Sequence, residues 1–167
     1  MPIETEITDR LGVRYPILLA PMDLVAGARL TAAVGLAGGF GILGGGYGDR
    51  SWLERELKLL TELLAGTRSP FGVGFITWSL AKRPQLLDVA LEAGPQAIML
   101  SFGDPKPFAG RIKSAGAQLI CQVQNEDTAN EALEAGADVL VAQGTEAGGH
   151  GGSRTTLDIV CAVVDLA

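Results

Sequence analysis

His150 is the only histidine of the 167-residue chain, and it lies in a glycine-rich segment, AQGTEAGGHGG. Imidazole is the side chain that most readily accepts and donates a proton near neutral pH. Glycines on both sides of it allow the backbone to adopt positive φ and to approach a flat or anionic ligand closely. The segment therefore predicts a site for proton transfer beside a bound ligand. The alternative is a loop that is glycine-rich only in order to turn and that carries a solvated histidine.

The place of this segment in the chain favours a site. It follows the short apolar run VLVA, which is typical of a buried parallel strand. Proteins of the α/β class carry their chemistry on loops at the carboxyl ends of such strands. The polar residues Gln143 and Glu146 accompany His150 in the loop, which further favours a functional role.

A weak repeat organises the rest of the chain. Helix-like segments end in a glycine, and a short apolar run follows each time. These glycines, at positions 38, 66, 94, 116 and 136, are 28, 28, 22 and 20 residues apart. Such spacings fit one helix, one strand and two short loops, with glycine as the left-handed helix cap. The predicted strands are residues 17–20, 40–43, 71–75, 97–100, 118–123 and 139–142.

Two helix starts carry recognisable signals. Ser51 and Glu54 have the spacing of a capping box, and leucines follow along one face of the predicted helix. Pro84 is placed as a first-turn proline of a later helix. Helices alternating with six strands predict a parallel sheet with right-handed crossovers.

Both a doubly wound sheet and a barrel have this alternation. A dinucleotide-binding sheet needs G-x-G-x-x-G after its first strand, and here that strand runs into Ala20, Pro21, Met22 and Asp23. The segment GGFGILGGGYG surrounds the second strand and does not lead into a helix in the required way. Polar or special residues follow nearly every strand, which favours a parallel (β/α)8 barrel of the TIM type.

About six of the eight βα units are present. A typical barrel has about 250 residues, and the last helical pattern, with Ile159 and Val163, has no capping glycine. We therefore expect residues 1–167 to form a single incomplete barrel domain.

Composition narrows the class of protein. Hydrophobic residues make up 47% of the chain, yet no apolar run is long enough to span a membrane, and the start MPIETEITDR is charged where a signal peptide would be apolar. Cys121 and Cys161 lack metal-ligand or CxxC spacing and are expected to be reduced core residues of a cytoplasmic protein. A net charge of −6 argues against a nucleic-acid surface. The expected partner is a small molecule.

Three segments, PILLAPM, FGVGF and AQGTEAGGHGG, occur in this order and together resemble the nitronate monooxygenases. The resemblance covers the whole chain, and its last motif is the most specific. It implies a (β/α)8 barrel that holds FMN at the carboxyl ends of its strands. It also implies oxidation of alkyl nitronates with dioxygen to a carbonyl compound and nitrite.

The resemblance also implies roles for individual residues. His150 matches the catalytic histidine. Gly74 stands where many members have asparagine, which leaves only a backbone contact to the flavin; Gln122 stands where some members have lysine, and its neutral amide cannot match an ammonium beside an anionic flavin. The residues that match flavin contacts are Ala20, Pro21, Met22, Gly74, Gln122, Gln143, Gly148 and Gly149. The phosphate-binding loops after strands seven and eight have no counterpart.

Two of these residues also fit a purely structural role. Met22 can instead plug the mouth of the barrel, and Gln122 can be a helix cap or a core amide bound by backbone groups.

Three functions remain as hypotheses. The first is FMN-dependent oxidation of a small nitronate or nitroalkane with dioxygen, in which His150 takes the α-proton or hydrogen-bonds the nitro group. The second is an FMN-dependent enoyl-ACP reductase-like activity with NAD(P)H. The third is an inactive barrel fragment that needs a partner chain. A homo-oligomer is compatible with each of them.

Overall fold

The computed structural model describes residues 3–166, which contain a five-stranded, fully parallel sheet. The strands lie side by side in the order in which they occur in the sequence. In a doubly wound sheet the order in which successive strands are added reverses at a switch point, whereas in a barrel each strand is added on the same side of the one before it. The predicted fold class, a parallel (β/α) barrel type, is therefore confirmed. The strands are β1 (Gly41–Gly44), β2 (Phe71–Ile76), β3 (Ala97–Ser101), β4 (Gln118–Val123) and β5 (Val139–Ala142).

The first predicted strand, residues 17–20, forms only one parallel bridge, between Leu18 and Phe40. Two backbone hydrogen bonds hold it there: Phe40 N–H donates to Ile17 O at 2.8 Å, and Leu19 N–H donates to Phe40 O at 2.9 Å. Prolines stand on either side of the segment, at positions 16 and 21, and proline has no N–H for a sheet ladder. The six predicted strand positions thus comprise five strands and one bridged segment.

Eight helices accompany the strands within residues 3–166. They are α1 (Glu6–Leu11), α2 (Ala28–Leu36), α3 (Arg50–Leu64), α4 (Thr77–Leu80), α5 (Gln85–Glu92), α6 (Lys106–Ser114), α7 (Glu126–Glu134) and α8 (Thr156–Val164). The five junction glycines all have positive φ, between 69° and 98°. They end helical segments as predicted, because glycine adopts this conformation without steric cost.

The start of α3 differs from the prediction. Its N-cap is Asp49, whose carboxylate accepts a 3.0 Å hydrogen bond from the N–H of Trp52. The capping box predicted at Ser51 and Glu54 is wrong, because Ser51 already lies inside the helix and Glu54 pairs with Arg50 at 2.6 Å. The glycine-rich segment after β1 therefore does lead directly into a helix. The prediction for Pro84 is close: it occupies the N-cap position of α5.

The side chains on the two faces of the sheet form two apolar clusters. Leu43, Val73 and Leu100 point to the helices and belong to the larger cluster. Phe40, Ile42, Met99 and Ile120 point to the opposite face and form a smaller cluster. Successive side chains of a strand alternate between the two faces of the sheet. The side chains that continue the row of the smaller cluster along each strand therefore lie at the carboxyl ends of the strands. Within residues 3–166, no helix is long and apolar enough to cross a membrane.

Candidate active site at the carboxyl ends of the strands

A cavity of about 420 Å³ opens where the inner face of the sheet reaches the carboxyl ends of β4 and β5. Its walls are mostly apolar, and the polar lining residues are Gln122, Gln143, Glu146 and Thr156. The residues that line it are Leu18, Leu19, Ala20, Ile42, Met99, Gln122, Val141, Ala142, Gln143, Gly144, Glu146, Ala147 and Thr156. A mostly apolar cavity of several hundred Å³ with a few polar groups is typical of a cofactor site.

Gln122 is the predicted site residue that is best placed in this cavity. It pairs with Ser101 and Val141 across the sheet and is half-buried. Its amide makes no hydrogen bond to any other residue between 3 and 166, so its donors and acceptor are available to a ligand. This argues against the alternative of a core amide satisfied by backbone groups.

Gln143 also lines the cavity, but its amide is engaged in holding the loop that follows. Its Nε2 donates to the carbonyl oxygen of His150 at 2.7 Å, and its Oε1 accepts from Gln124 Nε2 at 3.1 Å. These bonds fold the glycine-rich loop back toward the end of β5. Gln143 thus connects the wall of the cavity to His150.

The loop is anchored at its other end by α8. The Glu146 carboxylate accepts 2.8 Å hydrogen bonds from both the backbone N–H and the hydroxyl of Thr156. The Thr156 hydroxyl and nearby backbone N–H groups lower the pKa of Glu146. One residue before Glu146, the N–H of Thr145 donates a 2.8 Å hydrogen bond to Arg154 O, and Arg154 forms an ion pair with Glu126. These bonds fix the base of the loop, whereas Gly148 and Gly149 at its tip are exposed.

His150 lies on the exposed part of this loop and does not itself line the cavity. Its imidazole faces the ring of Phe102, with the ring centroids 5.7 Å apart and the planes tilted by 54°. Phe102 follows β3 and has a φ of 60°, which is uncommon for a residue other than glycine. The sequence reasoning missed this neighbour of the histidine, because nothing local marks the contact.

The remaining predicted flavin contacts separate into two groups. Ala20 lines the main cavity. Pro21 instead packs on Gly74, where an added Cβ would overlap the proline ring. Met22 is 41% exposed and does not line the main cavity. The structure brings Ala20, Gln122 and Gln143 together, with His150 attached through Gln143.

The cavity suits a flavin ring better than it suits a phosphate. Its apolar walls match the flat tricyclic ring, and the free amide of Gln122 offers hydrogen bonds to a polar ring edge. No lysine or arginine lines it, and Glu146 adds a negative charge. Within residues 3–166, no group of three or more His, Cys, Asp or Glu side chains could hold a metal ion.

The fold and the site together define the class of this protein. It is a parallel (β/α) barrel type with an apolar cavity at the carboxyl ends of its strands. Residues 4–79 and 76–166 match the family model described as nitronate monooxygenase. The chain belongs to the nitronate monooxygenase family.

Curated relatives of this chain carry two kinds of name. It is 30% identical over 165 residues to the (3aS,4S,5R,7aS)-5-hydroxy-7a-methyl-1-oxo-octahydro-1H-indene-4-carboxyl-CoA dehydrogenase of Mycobacterium tuberculosis, covering 99% of this chain and 45% of that protein. It is 31% identical over 180 residues to the nitronate monooxygenase of Paraburkholderia phytofirmans, covering 85% and 48%. The chain spans about half the length of the curated relatives it matches.

Two solved structures are also similar to this chain. FabK from Thermotoga maritima superposes with a TM-score of 0.89 at 32% identity, over 99% of this chain and 52% of that one. Nitroalkane oxidase from Streptomyces ansochromogenes superposes with a TM-score of 0.81 at 27% identity, over 98% and 58%. The fold is shared with both proteins.

Proposed function

We propose that the protein is an FMN-dependent oxidoreductase that oxidises alkyl nitronates or nitroalkanes with dioxygen to a carbonyl compound and nitrite. One observation carries the proposal: the chain's only histidine is tied through Gln143 to an apolar cavity at the carboxyl ends of the strands. Membership of the nitronate monooxygenase family supports the same reaction.

FMN, when bound, supplies the redox chemistry. In our proposal Ala20, Gln122 and Gln143 border the flavin ring, because they line the cavity; the free amide of Gln122 binds it, whereas the amide of Gln143 holds the loop. The backbone of Gly148 and Gly149 borders the ligand from the loop. The other predicted flavin contacts are Pro21, Met22 and Gly74. Because Pro21 covers Gly74, we propose that the flavin contacts Pro21 rather than the backbone of Gly74.

His150 acts in this proposal on the substrate. Its imidazole removes the α-proton of a neutral nitroalkane, or hydrogen-bonds the nitro group of a nitronate that is already deprotonated. The exposed glycine-rich loop leaves space for a small substrate beside the ring. Neutral Gln122 leaves the histidine as the only titratable group among the nine predicted site residues.

A second candidate is a flavin-dependent dehydrogenase or enoyl-ACP reductase-like enzyme that transfers hydride between NAD(P)H and an acyl thioester. The name of the M. tuberculosis relative, a carboxyl-CoA dehydrogenase, favours it, because this relative is as similar to the chain as the named nitronate monooxygenases are. Gln122 in the place of a lysine also fits a reaction other than nitronate oxidation.

The domain and its location are part of the proposal. Residues 1–167 contribute one incomplete barrel domain, supported by the unclosed five-stranded sheet. The free thiols of Cys121 and Cys161 support a reducing compartment such as the cytoplasm.

Three measurements separate the candidates. The chromophore released from the purified full-length protein should be FMN, and nitrite should form from a nitronate in proportion to the dioxygen consumed. Rapid bleaching of the flavin by NADH without nitrite formation would favour the thioester enzyme. Release of FAD, or a colourless protein, would contradict the assignment of FMN.

A further inference from the structure

Phe102 occupies a position at which the backbone itself is unusual. It follows β3 with a φ of 60°, and the next residue, Gly103, has a φ of 147°. Positive φ at a phenylalanine is strained, and such strain is concentrated at functional sites. The carbonyl oxygen of Phe102 accepts a 3.2 Å hydrogen bond from the N–H of Trp78, which holds this turn in place.

The turn directs the phenylalanine ring toward His150. The two ring centroids are 5.7 Å apart, and the tilt of 54° lies between stacked and edge-to-face arrangements, within the range that aromatic pairs adopt. Phe102 also borders a small cavity that it shares with Gln122 and Gln124. The ring therefore lies between the histidine loop and the polar end of β4.

The histidine needs such a neighbour. It stands between Gly149 and Gly151 on an exposed loop, and the bond from Gln143 holds only its backbone carbonyl. A side chain on such a loop samples several rotamers unless another group restricts it. Among the residues that the structure describes, Phe102 provides the aromatic ring that pairs with the imidazole.

We propose that Phe102 is a positioning residue for His150, restricting the imidazole to the side of the loop that faces the strand ends. This inference rests on the proposed function only for its kinetic part; the contact itself stands on the geometry. A misplacement of about 1 Å in a catalytic group can cost 10²-fold in rate.

Three substitutions of Phe102 test the proposal in the flavin-loaded full-length protein. Phe102→Leu removes the aromatic ring and keeps an apolar side chain. Phe102→Gly removes the ring at a backbone conformation that glycine adopts freely, so the backbone of the turn should be kept. Phe102→Tyr keeps the ring. Tyr47→Leu is the matched control, because Tyr47 is an exposed aromatic residue after β1, two strands away from β3, and its ring pairs with Trp78 instead.

The first readout is the proton NMR signal of the His150 imidazole, assigned by its loss in His150→Asn. Phe102→Leu and Phe102→Gly should move this signal by removing the ring current, whereas Phe102→Tyr and Tyr47→Leu should not. The second readout is kinetic. With a neutral nitroalkane, kcat should fall by up to about 10²-fold in the Leu and Gly variants, with KM and flavin content little changed, and Tyr should restore it.

Unchanged NMR signals in Phe102→Leu and Phe102→Gly would overturn the proposal, and so would moved signals with unchanged kcat in an enzyme that His150→Asn does impair. If His150→Asn leaves nitroalkane turnover intact, the proposed function fails and positioning for catalysis fails with it. The NMR shifts would in that case still report the contact, so the two failures are distinguishable.

Discussion

The side chain of Gln143 donates a 2.7 Å hydrogen bond to the main-chain oxygen of His150, seven residues later in the chain. Gln143 directly follows β5 and lines the main cavity, so this bond closes the glycine-rich loop over the strand end. The second bond, from Gln124, fixes the orientation of the Gln143 amide. Of the two glutamines in the cavity wall, Gln143 therefore organises the loop, and Gln122 is left to bind a ligand.

Replacing His150 with Asn should impair turnover of a neutral nitroalkane much more than turnover of the preformed nitronate. Only the neutral substrate must lose a carbon-bound proton, and general-base catalysis contributes about 10²–10⁴-fold. Steady-state rates on both substrates at equal flavin content measure the difference. An equal loss on both substrates would show that His150 binds the substrate rather than deprotonating it.

Replacing Gly144 with Ala should destabilise the loop. A Cβ at this position would overlap the backbone nitrogen and Cα of Thr156, which cannot move without displacing the start of α8. We expect a loss of about 1–3 kcal/mol in the free energy of unfolding, as is typical of overpacking. Urea unfolding measures it. Gly148→Ala is the control, since nothing lies within 4 Å of a Cβ there; equal midpoints for the two variants would show that the loop adjusts freely.

The two cysteines should differ in reactivity. Burial, assisted by the charge of Asp138, raises the pKa of the Cys121 thiol to about 12, whereas Cys161 is exposed and the prediction that it is a core residue is wrong. The thiolate is the reactive form. At pH 8, one thiol per folded chain should therefore react with Ellman's reagent, and a second thiol should react after denaturation. Two equivalents from the folded protein would contradict the burial of Cys121.

The same pKa predicts how stability changes with pH. In the unfolded chain the thiol ionises near 9.0, while the folded chain keeps its proton up to about 12. The unfolded state therefore binds fewer protons in this interval, and the contribution of Cys121 to stability is complete below pH 9 and declines as the pH rises toward 12. Cys121→Val should lack this part of the decline when unfolding is followed across the interval. A parallel decline in both proteins would assign it to other groups.

Residues 1–167 expressed alone should bind FMN poorly and elute as an oligomer or aggregate. The outer edge of β5 and the bridged segment at Leu18 have no further strand partner within residues 3–166, and unpaired edges promote association. The main cavity has no cationic side chain for a phosphate. Size-exclusion chromatography with flavin absorbance tests this. A monodisperse monomer with one FMN per chain would show that these strands suffice.

Local patterns in the sequence determined most of the fold. The boundaries of β4 and β5 agree with those predicted, because short apolar runs between turn residues identify buried strands. The junction glycines marked the helix ends, because their positive φ is a property of the residue itself. The motif that contains His150 likewise located the loop of the candidate site.

Tertiary structure decided the contacts between distant residues. Pro21 covers Gly74, Phe102 faces His150, and Gln143 turns its amide to the loop rather than to the cavity. Even the cap of α3 is Asp49 rather than Ser51, because capping depends on which side-chain oxygen reaches a free N–H. Each of these depends on where strand ends and loops meet in space. Residue type and spacing specify the elements, but only their packing brings together side chains that are far apart in the chain.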